Sequence, residues 1–501
     1  MLSTFMEVLD STVVNVSLPH IAGNLSATID ESTWVITSYL VANAIVLPAT
    51  GWFSMLFGRK RFYMACVAGF VVSSLLCGMA PSLTWLIIFR MMQGLAGGAL
   101  QPIAQAILLE SFPLRKRGMG MAIFGIGVVF APIIGPTLGG WITDNFSWRW
   151  VFYINLPVGI LSLIMTQIYV VDPPYLRRGV TKVDYAGLGF LALGIGLLQL
   201  VLDNGQRNDW FQTAWIVQAS IAAVVFLIAL VVWERRAEHP IIDFHVLRIP
   251  NFTPGAILIF VLGIALYGSL VLLPVFLQNL LGYSAMQSGL AMSPGGIGTL
   301  ICMPLVGFLV GRKDARYLII FGLATMGYSM FMMAHYNLQI GFWDAAIPRI
   351  VMGIGLAFLF VPLSTATFAF VPRDQMGNAT GLYNLMRNLG GSFGIAGINT
   401  MLAQRAQFHQ ARLVENVSSY DPGFVQVLSQ TVARYVQLGQ NQWIAQQQAV
   451  GGIYRQVLRQ ASAMSFVDCF WLLGVIMVGL IPLVFIMRRP PKHHRSSSAA
   501  H

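Results

Sequence analysis

The chain has 501 residues, of which 56% are hydrophobic and only 10% are charged, and its mean hydropathy is +0.70. Soluble domains carry about 25% charged residues, so this composition excludes a water-soluble globule and predicts apolar surface that faces lipid. The formal net charge of +11 does not indicate nucleic acid, because the basic residues lie in short clusters between apolar runs.

Apolar runs long enough to cross a membrane, which takes about 20 residues per helix, recur along the whole chain. No small-residue cleavage site follows the first run, so we expect it to serve as an uncleaved insertion signal. The runs predict helices at 3–22, 33–52, 62–80, 84–107, 118–140, 148–170, 184–202, 213–233, 254–278, 286–310, 317–336, 344–370, 379–402 and 464–487.

The basic residues predict the orientation. If both termini are cytoplasmic, the inner loops and tail hold 20 of the 30 Lys and Arg residues, as the positive-inside rule requires. Adding or removing one span would break this alternation, so the sequence predicts an all-α, multi-pass membrane protein with fourteen helices. The inner residues are Arg59, Lys60, Arg61, Arg115, Lys116, Arg117, Arg177, Arg178, Lys182, Arg235, Arg236, Arg248, Arg312, Lys313, Arg316, Arg373, Arg488, Arg489, Lys492 and Arg495.

An internal repeat relates the two ends of the chain, as is common in secondary transporters. Arg90 precedes a glycine by four residues and a proline by 23, and Arg349 has the same two spacings. The other matched positions are Gly51 with Gly307 and Gly118 with Gly377.

The repeat divides the chain into six spans, two inserted spans and six further spans. We predict an N-terminal six-helix bundle at 1–170, an inserted helix pair with its linkers at 171–253 and a C-terminal six-helix bundle at 254–487. The last bundle includes a periplasmic loop at 403–463, and a cytoplasmic tail follows at 488–501.

Two acidic residues, Glu7 and Asp10, interrupt the first apolar run and lie three positions apart, on one helical face. A charge inside a span costs about 2.5–3.5 kcal/mol on insertion scales, so its retention indicates a role. Proton coupling requires a carboxyl that takes up and releases a proton, and both residues are candidates, Asp10 before Glu7. The alternative is that both lie hydrated at the cytoplasmic end.

Arg90 interrupts the fourth span and is the third candidate for proton coupling. It requires an acidic or carbonyl partner, and nearby glycines such as Gly94 allow a close helix approach. The alternatives are a structural ion pair or a side chain that snorkels to the interface. Arg349 and Arg387 interrupt later spans and are weaker candidates.

The fifth span contains Gly135, Pro136, Gly139 and Gly140. Proline cannot donate to the helix hydrogen-bond ladder, and glycines on one face permit tight packing. We predict a bend and a close contact on which two halves of the molecule rock. A purely structural kink is the alternative.

Together these motifs resemble the fourteen-span drug:proton antiporter family of the major facilitator superfamily, and within it the EmrB-like inner-membrane components of tripartite efflux systems. The resemblance covers nearly the whole chain, although any one motif alone would be weak evidence for the family. The matching stretches are Leu9 to Pro19, the loop motif with Gly51, Gly58, Arg59 and Lys60, Arg90 to Gly98, Gly135 to Gly140, and shorter matches at 202–211 and 251–253.

The resemblance implies a major facilitator fold with two pseudo-symmetric six-helix halves plus two inserted helices. It implies export of hydrophobic or amphipathic toxic compounds, driven by inward proton flow, with Asp10 and Arg90 linked to proton coupling and Gly135 to Gly140 linked to antiport. It also implies two partners, a periplasmic membrane-fusion adaptor of the EmrA type and an outer-membrane channel of the TolC type. Export of one dedicated metabolite, siderophore or fatty acid is the alternative.

Three features depart from the family pattern. Met55 replaces the usual acidic residue of the loop motif, which argues against a charge latch at that loop. Ala131 replaces the first glycine of the fifth-span motif. Asp10 also lies unusually close to residue 1, so we expect the preceding cytosolic segment to be short or absent, or the native start to lie upstream.

The one sizeable hydrophilic segment, 403–463, holds 13 glutamines, 5 arginines and 2 acids. Apolar residues recur at helical spacing from Phe424 to Tyr435 and again from Ile444 to Leu458, and Pro422-Gly423 and Gly451-Gly452 punctuate the segment. We predict two amphipathic helices outside the membrane. They either dock an adaptor protein or cover the outer face of the transporter itself.

Other functional classes lack the residues that they need. An ATP-driven pump needs a phosphate-binding loop, and the sequence has no Gly-Lys dipeptide. The four cysteines, Cys66, Cys77, Cys302 and Cys469, lie inside apolar runs without metal-ligand or disulfide spacing. We therefore expect a transporter rather than an enzyme, with no metal, no other cofactor and no nucleic-acid partner. Its expected partners are hydrophobic drug-like substrates, protons and the lipid bilayer.

Overall fold

The computed structural model describes residues 1–113, 116–172, 184–237, 240–415, 417 and 420–489. This part of the chain is helical and contains no strand, which confirms the all-α class. Part of the predicted inserted segment and most of the tail at 488–501 lie outside the described residues. So do six of the predicted inner-loop residues, namely Arg115, Arg177, Arg178, Lys182, Lys492 and Arg495.

The helices follow one another with short connections. In chain order they are α1 (Leu2–Asn24), α2 (Ile29–Ser32), α3 (Trp34–Phe57), α4 (Arg59–Met79), α5 (Leu83–Gly97), α6 (Leu100–Ser111), α7 (Arg117–Asn145), α8 (Trp150–Tyr153), α9 (Asn155–Tyr169), α10 (Tyr185–Asn204), α11 (Ala214–Glu234), α12 (Phe252–Asn279), α13 (Ala285–Val310), α14 (Ala315–Met333), α15 (Phe342–Thr367), α16 (Met376–Glu415), α17 (Pro422–Gln437), α18 (Gln442–Gly479) and α19 (Ile481–Val484).

Eleven helical segments in the described part of the chain are long and apolar enough to cross a membrane, and the bent helix α7 raises the number to 12. Two further helices, α1 and α16, have 23 and 40 residues but are too polar to meet the same criterion. They lie at the first and thirteenth predicted spans. The structure is therefore compatible with fourteen spans, and the predicted fourth span consists of α5 and α6, which break at Gly97–Gly98.

Hydrogen bonds between distant loops show which helix ends share a side of the molecule. Asn251 Nδ2 donates to the carbonyl of Arg488 at 2.8 Å, and Asn378 Nδ2 donates to the carbonyl of Asp243 at 2.9 Å. The loops that carry the described basic clusters lie at this end, which we call the basic side. We call the opposite end the stalk side.

Two helices are much longer than a membrane requires. At 1.5 Å per residue, the 40 residues of α16 and the 38 residues of α18 extend about 60 and 57 Å, roughly twice the ~30 Å hydrocarbon core. They pack on each other where they leave the bundle: Asp468 accepts a hydrogen bond from Arg405 Nε at 2.5 Å and contacts His409 Nε2 at 2.7 Å. We call the described residues between 403 and 463 the stalk.

The stalk agrees only in part with the two predicted amphipathic helices. The first corresponds to α17, which lies on α18. The second is not a separate helix, because α18 runs through Gly451-Gly452 and continues into the last span. Each interior glycine costs a helix about 1 kcal/mol relative to alanine, and the packing of α18 along α16 and α17 outweighs that cost.

The pair α10 and α11 lies beside the junction of α3 and α16. Asp203 of α10 accepts a hydrogen bond from Thr37 of α3, and Gln199 of α10 accepts one from Ser392 of α16 at 2.9 Å. Only 17% of the most apolar window of α11 is buried, so α11 lies on the outside of the bundle. The pair thus contacts helices from both ends of the chain.

Candidate functional site

A closed polar cluster surrounds Asp10 inside α1. The side chain is fully buried, and its Oδ2 accepts a hydrogen bond from Arg90 Nη1 at 2.5 Å. Its Oδ1 accepts hydrogen bonds from Asn155 Nδ2 at 2.6 Å and from Gln93 Nε2 at 3.1 Å. The acidic partner that Arg90 requires is therefore Asp10, and donors from α5 and α9 satisfy both carboxylate oxygens of this α1 residue.

Arg90 is held on several sides and does not reach the membrane surface, since its side chain is 1% exposed. Nε donates to the carbonyl of Val35 at 3.1 Å, and Nη1 also donates to Gln93 Oε1 at 2.7 Å. The guanidinium carbon lies 4.2 Å from the centroid of the Tyr39 ring, a cation–π contact worth about 2 kcal/mol when desolvated. These contacts offset much of the cost of burying the charge.

Glu7 is also buried, so neither acid of α1 is hydrated at a helix end, but its partners differ from those of Asp10. Its Oε1 accepts hydrogen bonds from Asn43 Nδ2 at 3.1 Å and from the Tyr39 hydroxyl at 3.4 Å. Asn43 Oδ1 in turn accepts one from Asn388 Nδ2 of α16 at 3.4 Å. Asp10 is thus enclosed by N-terminal helices, whereas Glu7 lies where helices from the two ends of the chain meet.

Buried polar side chains join α6 and α16 across this junction. Asn384 Nδ2 donates to Gln105 Oε1 at 2.6 Å, and Arg387 Nη2 donates to Gln101 Oε1. These amides were not predicted from the sequence. Gln101 and Gln105 are four residues apart on α6, and so are Asn384 and Asn388 on α16. That spacing places each pair on one helical face and is the signal that could have found them.

The predicted bend of the fifth span lies in α7. The segments Arg117–Pro132 and Ile134–Asn145 meet at an angle of 41°. Pro136 lies just beyond the break, and its ring nitrogen cannot donate to the carbonyl four residues earlier. The missing hydrogen bond therefore coincides with the bend.

The glycines of the same motif bring α7 close to α1. A Cβ at Gly139 would lie 2.9 Å from Val13 Cγ1, and a Cβ at Gly135 would overlap the Thr12 side chain. Gly140 packs less tightly, since its Cβ would lie 3.9 Å from Val16. The close contact on α1 thus falls within one turn of Asp10.

The loop motif joins α3 to α4 through Gly58, whose φ of +85° favours glycine. The next residue, Arg59, is buried and donates from Nη1 and Nη2 to the two carboxylate oxygens of Glu110 at 2.5 and 3.0 Å. Lys60 Nζ donates to the carbonyl of Gln167 at 2.7 Å. Although Met55 carries no charge, a charge pair therefore exists at this loop, and its acid, Glu110, was missed by the sequence analysis.

No group of three or more His, Cys, Asp or Glu side chains suited to a metal ion occurs among the described residues. The thiols of Cys66, Cys77, Cys302 and Cys469 are all free.

The fold and these motifs agree with the comparison to known proteins. The model of the Major Facilitator Superfamily matches residues 1–395. The chain belongs to this superfamily. It is 37% identical to the multidrug export protein EmrB of Escherichia coli (strain K12) over 98% of this chain and 94% of that protein. It is also 37% identical to the fatty acid resistance protein FarB of Neisseria gonorrhoeae, over 98% of this chain and 95% of that protein.

Solved structures show the same fold. The major facilitator proton:xylose symporter XylE superposes with a TM-score of 0.59 at 15% identity, over 96% of this chain and 94% of that one. The major facilitator fold is therefore confirmed, and the identities place the chain with the EmrB-like multidrug export proteins. It is a multi-pass membrane transporter of a drug-efflux family.

In this major facilitator transporter, the glycines matched by the sequence repeat meet each other on the basic side. A Cβ at Gly51 of α3 would lie 2.9 Å from the carbonyl carbon of Gly377, at the start of α16. A Cβ at Gly118 of α7 would lie 2.7 Å from the carbonyl oxygen of Gly307 on α13. Because Gly51 matches Gly307 and Gly118 matches Gly377 in the repeat, the two contacts are equivalent, and both bring helices from the two ends of the chain close together on the basic side.

Proposed function

We propose that the protein exports hydrophobic or amphipathic toxic compounds in exchange for protons, by alternating access between two six-helix halves. The observation that carries this proposal is the Asp10 cluster. A fully buried carboxylate is bonded to a buried arginine and two amides, in a span where charge is costly. A carboxylate kept at such cost needs a function, and reversible protonation supplies one.

A proton on Asp10 would neutralise the carboxylate and weaken the bond to Arg90. The hydrogen bonds from Asn155 and Gln93 would then also change, because a protonated carboxyl has one acceptor fewer and one donor more. The same α1 segment carries Thr12 and Val13, which contact the glycine motif of α7 inside the N-terminal half. A change of protonation at Asp10 would thus reach α7, and α7 in turn packs on α13 of the other half through Gly118 and Gly307.

The driving force is sufficient for useful export. One proton that moves down 100 mV provides about 2.3 kcal/mol, which supports roughly a fifty-fold gradient of substrate at one proton per substrate. Amphiphiles leak back through a bilayer, so delivery to an outer channel would make this modest gradient more effective.

The proposal is tested by substrate-driven proton release from proteoliposomes that contain the wild type or Asp10→Asn. We expect release from the wild type and none from the variant, while substrate binding persists. The matched control is Asp144→Asn, which removes a carboxyl that is 71% exposed and should leave release unchanged. Unchanged release in Asp10→Asn contradicts the role of Asp10 and leaves Glu7 as the next carboxyl to replace.

We propose the orientation of the protein in the membrane from the charges of its loops. The basic side would face the cytoplasm of a bacterial cell, with both termini inside, because positively charged loops stay on that side. The halves would be 1–170 and 254–487, with 171–253 as the inserted pair. Reporter fusions at the basic-side and stalk-side loops test this, and activity of a periplasmic reporter on the basic side would contradict it.

We also propose that the stalk receives a periplasmic adaptor protein, which passes substrate to an outer-membrane channel. Two features support this. The stalk projects beyond the bundle, and no residue of α17 is buried. Apolar side chains face outward here, such as Val427 of α17 (52% exposed) and Leu438 directly after it (72% exposed). Serine at both positions should reduce crosslinking to the adaptor without changing proton release from proteoliposomes. Equal crosslinking would favour a stalk that only covers the outer face.

A single dedicated substrate, such as one metabolite, siderophore or fatty acid, remains the alternative to many drugs. One relative is a fatty acid resistance protein and another a multidrug export protein, so the relatives favour neither function for this chain. Growth of an efflux-deficient host on a panel of unrelated toxic amphiphiles distinguishes them. Protection against several classes supports multidrug export, and protection against one class supports a dedicated exporter.

A further inference from the structure

A cavity of about 40 Å³ lies between α7 and the C-terminal helices α12, α13, α15 and α16. Its wall is mostly apolar, with Tyr267 and Thr299 among the polar groups. Two arginines, Arg349 and Arg387, also line it. The cavity has room for a headgroup or a few water molecules.

Both arginines are buried, and neither forms a salt bridge with a described residue. Arg349 is 5% exposed. Its Nη1 donates to the sulfur of Met352 at 3.1 Å, and its Nε has no acceptor in the described part of the chain. Arg387 is 2% exposed. Its Nη2 donates to Gln101, and its Nε and Nη1 have no acceptor there.

The internal repeat shows why it matters that Arg349 lacks an acidic partner among the described residues. In the first half, Arg90 is matched by Asp10, which lies on the first helix of that half. In the second half, Arg349 occupies the equivalent position, but the corresponding helix α12 contains no Asp or Glu. The cavity lies beside α12, where the second half has space instead of a carboxylate.

Nearby acids do not take this place. Asp344 lies five residues before Arg349, at the beginning of α15, and accepts a hydrogen bond from the Gly341 amide at 2.8 Å. Glu7 acts on Arg387 through its charge, without a hydrogen bond or salt bridge between the two residues. Even if Glu7 balances the charge of Arg387, Arg349 has no acidic partner among the described residues, so a positive charge stays uncompensated, and arginine cannot shed its proton in a protein.

A buried, unpaired cation is costly, and an anionic ligand removes that cost. The geometry points to this cavity as the headgroup subsite for the transported substrate, which is an amphipathic organic anion with one carboxylate or similar group on an apolar body. The headgroup binds Arg349 and Arg387 inside the cavity, and the apolar body lies outside it, because about 40 Å³ holds the headgroup alone. The assignment rests on the proposed efflux function and narrows its substrate class.

The test uses the purified full chain in lipid nanodiscs and two fluorescent probes, dansylaminoundecanoate and its uncharged primary amide. We expect the carboxylate to bind more tightly than the amide. Arg349→Gln and Arg387→Gln should each raise the Kd of the carboxylate by about tenfold to a hundredfold, the value of a charge-assisted hydrogen bond. Neither should change the Kd of the amide by a comparable factor, and Arg349→Lys should recover part of the loss.

The matched control is Arg434→Gln, an exposed arginine of α17 that should leave both Kd values unchanged. Equal binding of the two probes, or equal loss of both in the arginine variants, overturns the anion subsite. The anion subsite for substrate is also overturned if chloride binds in the cavity but the carboxylate and amide probes bind equally well. The cavity would then be a site for small inorganic anions.

Proton release separates this inference from the proposed function. If the uncharged amide binds as well as the carboxylate and drives proton release that depends on Asp10, efflux stands and the anion subsite fails. If the carboxylate binds through both arginines but no substrate moves protons, the subsite stands and the proton exchange fails.

Discussion

The two arginines related by the repeat should respond to the same substitution in opposite ways. Arg90→Met leaves the Asp10 carboxylate buried without its cation, and breaking a buried ion pair in this way costs about 3–5 kcal/mol. Arg349→Met removes a buried cation that has no carboxylate partner among the described residues, so we expect no loss of stability and a gain of about 1 kcal/mol. The two variants should therefore differ by on the order of 4 kcal/mol or more.

The free energy of unfolding measured in mixed detergent micelles checks this, with tryptophan fluorescence as the signal. Arg434→Met, at an exposed position on α17, is the control and should change the value by less than about 0.5 kcal/mol. Equal destabilisation by Arg90→Met and Arg349→Met would refute the reasoning, because it would mean that Arg349 has a stabilising partner equivalent to Asp10.

Three further predictions concern the basic side. Gly118→Val places a side chain against a carbonyl of α13, so it should open this side and reduce transport at least about tenfold. Increased labelling of a cysteine on the basic side by a thiol reagent checks the opening. The control is Gly397→Val, where a Cβ meets nothing within 4 Å, and it should not increase labelling. Arg59→Glu should destabilise the protein by about 3–5 kcal/mol, and adding Glu110→Arg should restore part of this in the same unfolding assay; no recovery would contradict a direct pair. Burial raises the pKa of Asp314, but hydrogen bonds and charges from neighbouring arginines outweigh it and hold the pKa below its usual value. The stabilisation by the ionised Asp314 is therefore present above its usual pKa and should be lost as the pH falls through the lower pKa of the folded state. Between about pH 5 and pH 2, the free energy of unfolding should fall less in Asp314→Asn than in the wild type.

Much of the fold follows from the sequence because a bilayer imposes simple rules. Apolar runs and alternating basic loops predict the helices, and the repeat around Arg90 and Arg349 predicts equivalent positions. The requirement that a buried arginine have an acidic or carbonyl partner was met by Asp10 and by the carbonyl of Val35. These results depend on length, charge and local spacing, which a sequence states directly.

The remaining features depend on contacts between distant segments. Glu7 and Asp10 share a helical face, yet one lies at the junction of the halves and the other within the N-terminal helices, and sequence spacing does not distinguish these. Glu110 is 51 residues from its partner Arg59, so nothing local identifies the pair. The continuity of α18 through Gly451-Gly452 was missed because glycine pairs commonly end helices, and only packing along the stalk overrides that tendency.

The central claim is that Asp10 releases its proton when substrate binds. The most direct measurement is the number of protons released into weakly buffered solution when a saturating substrate is added to the purified protein, compared between the wild type and Asp10→Asn. We expect release from the wild type and none from Asp10→Asn, with substrate binding retained in both. Equal release from the two proteins would contradict the exchange at Asp10 and would place the proton on another carboxyl.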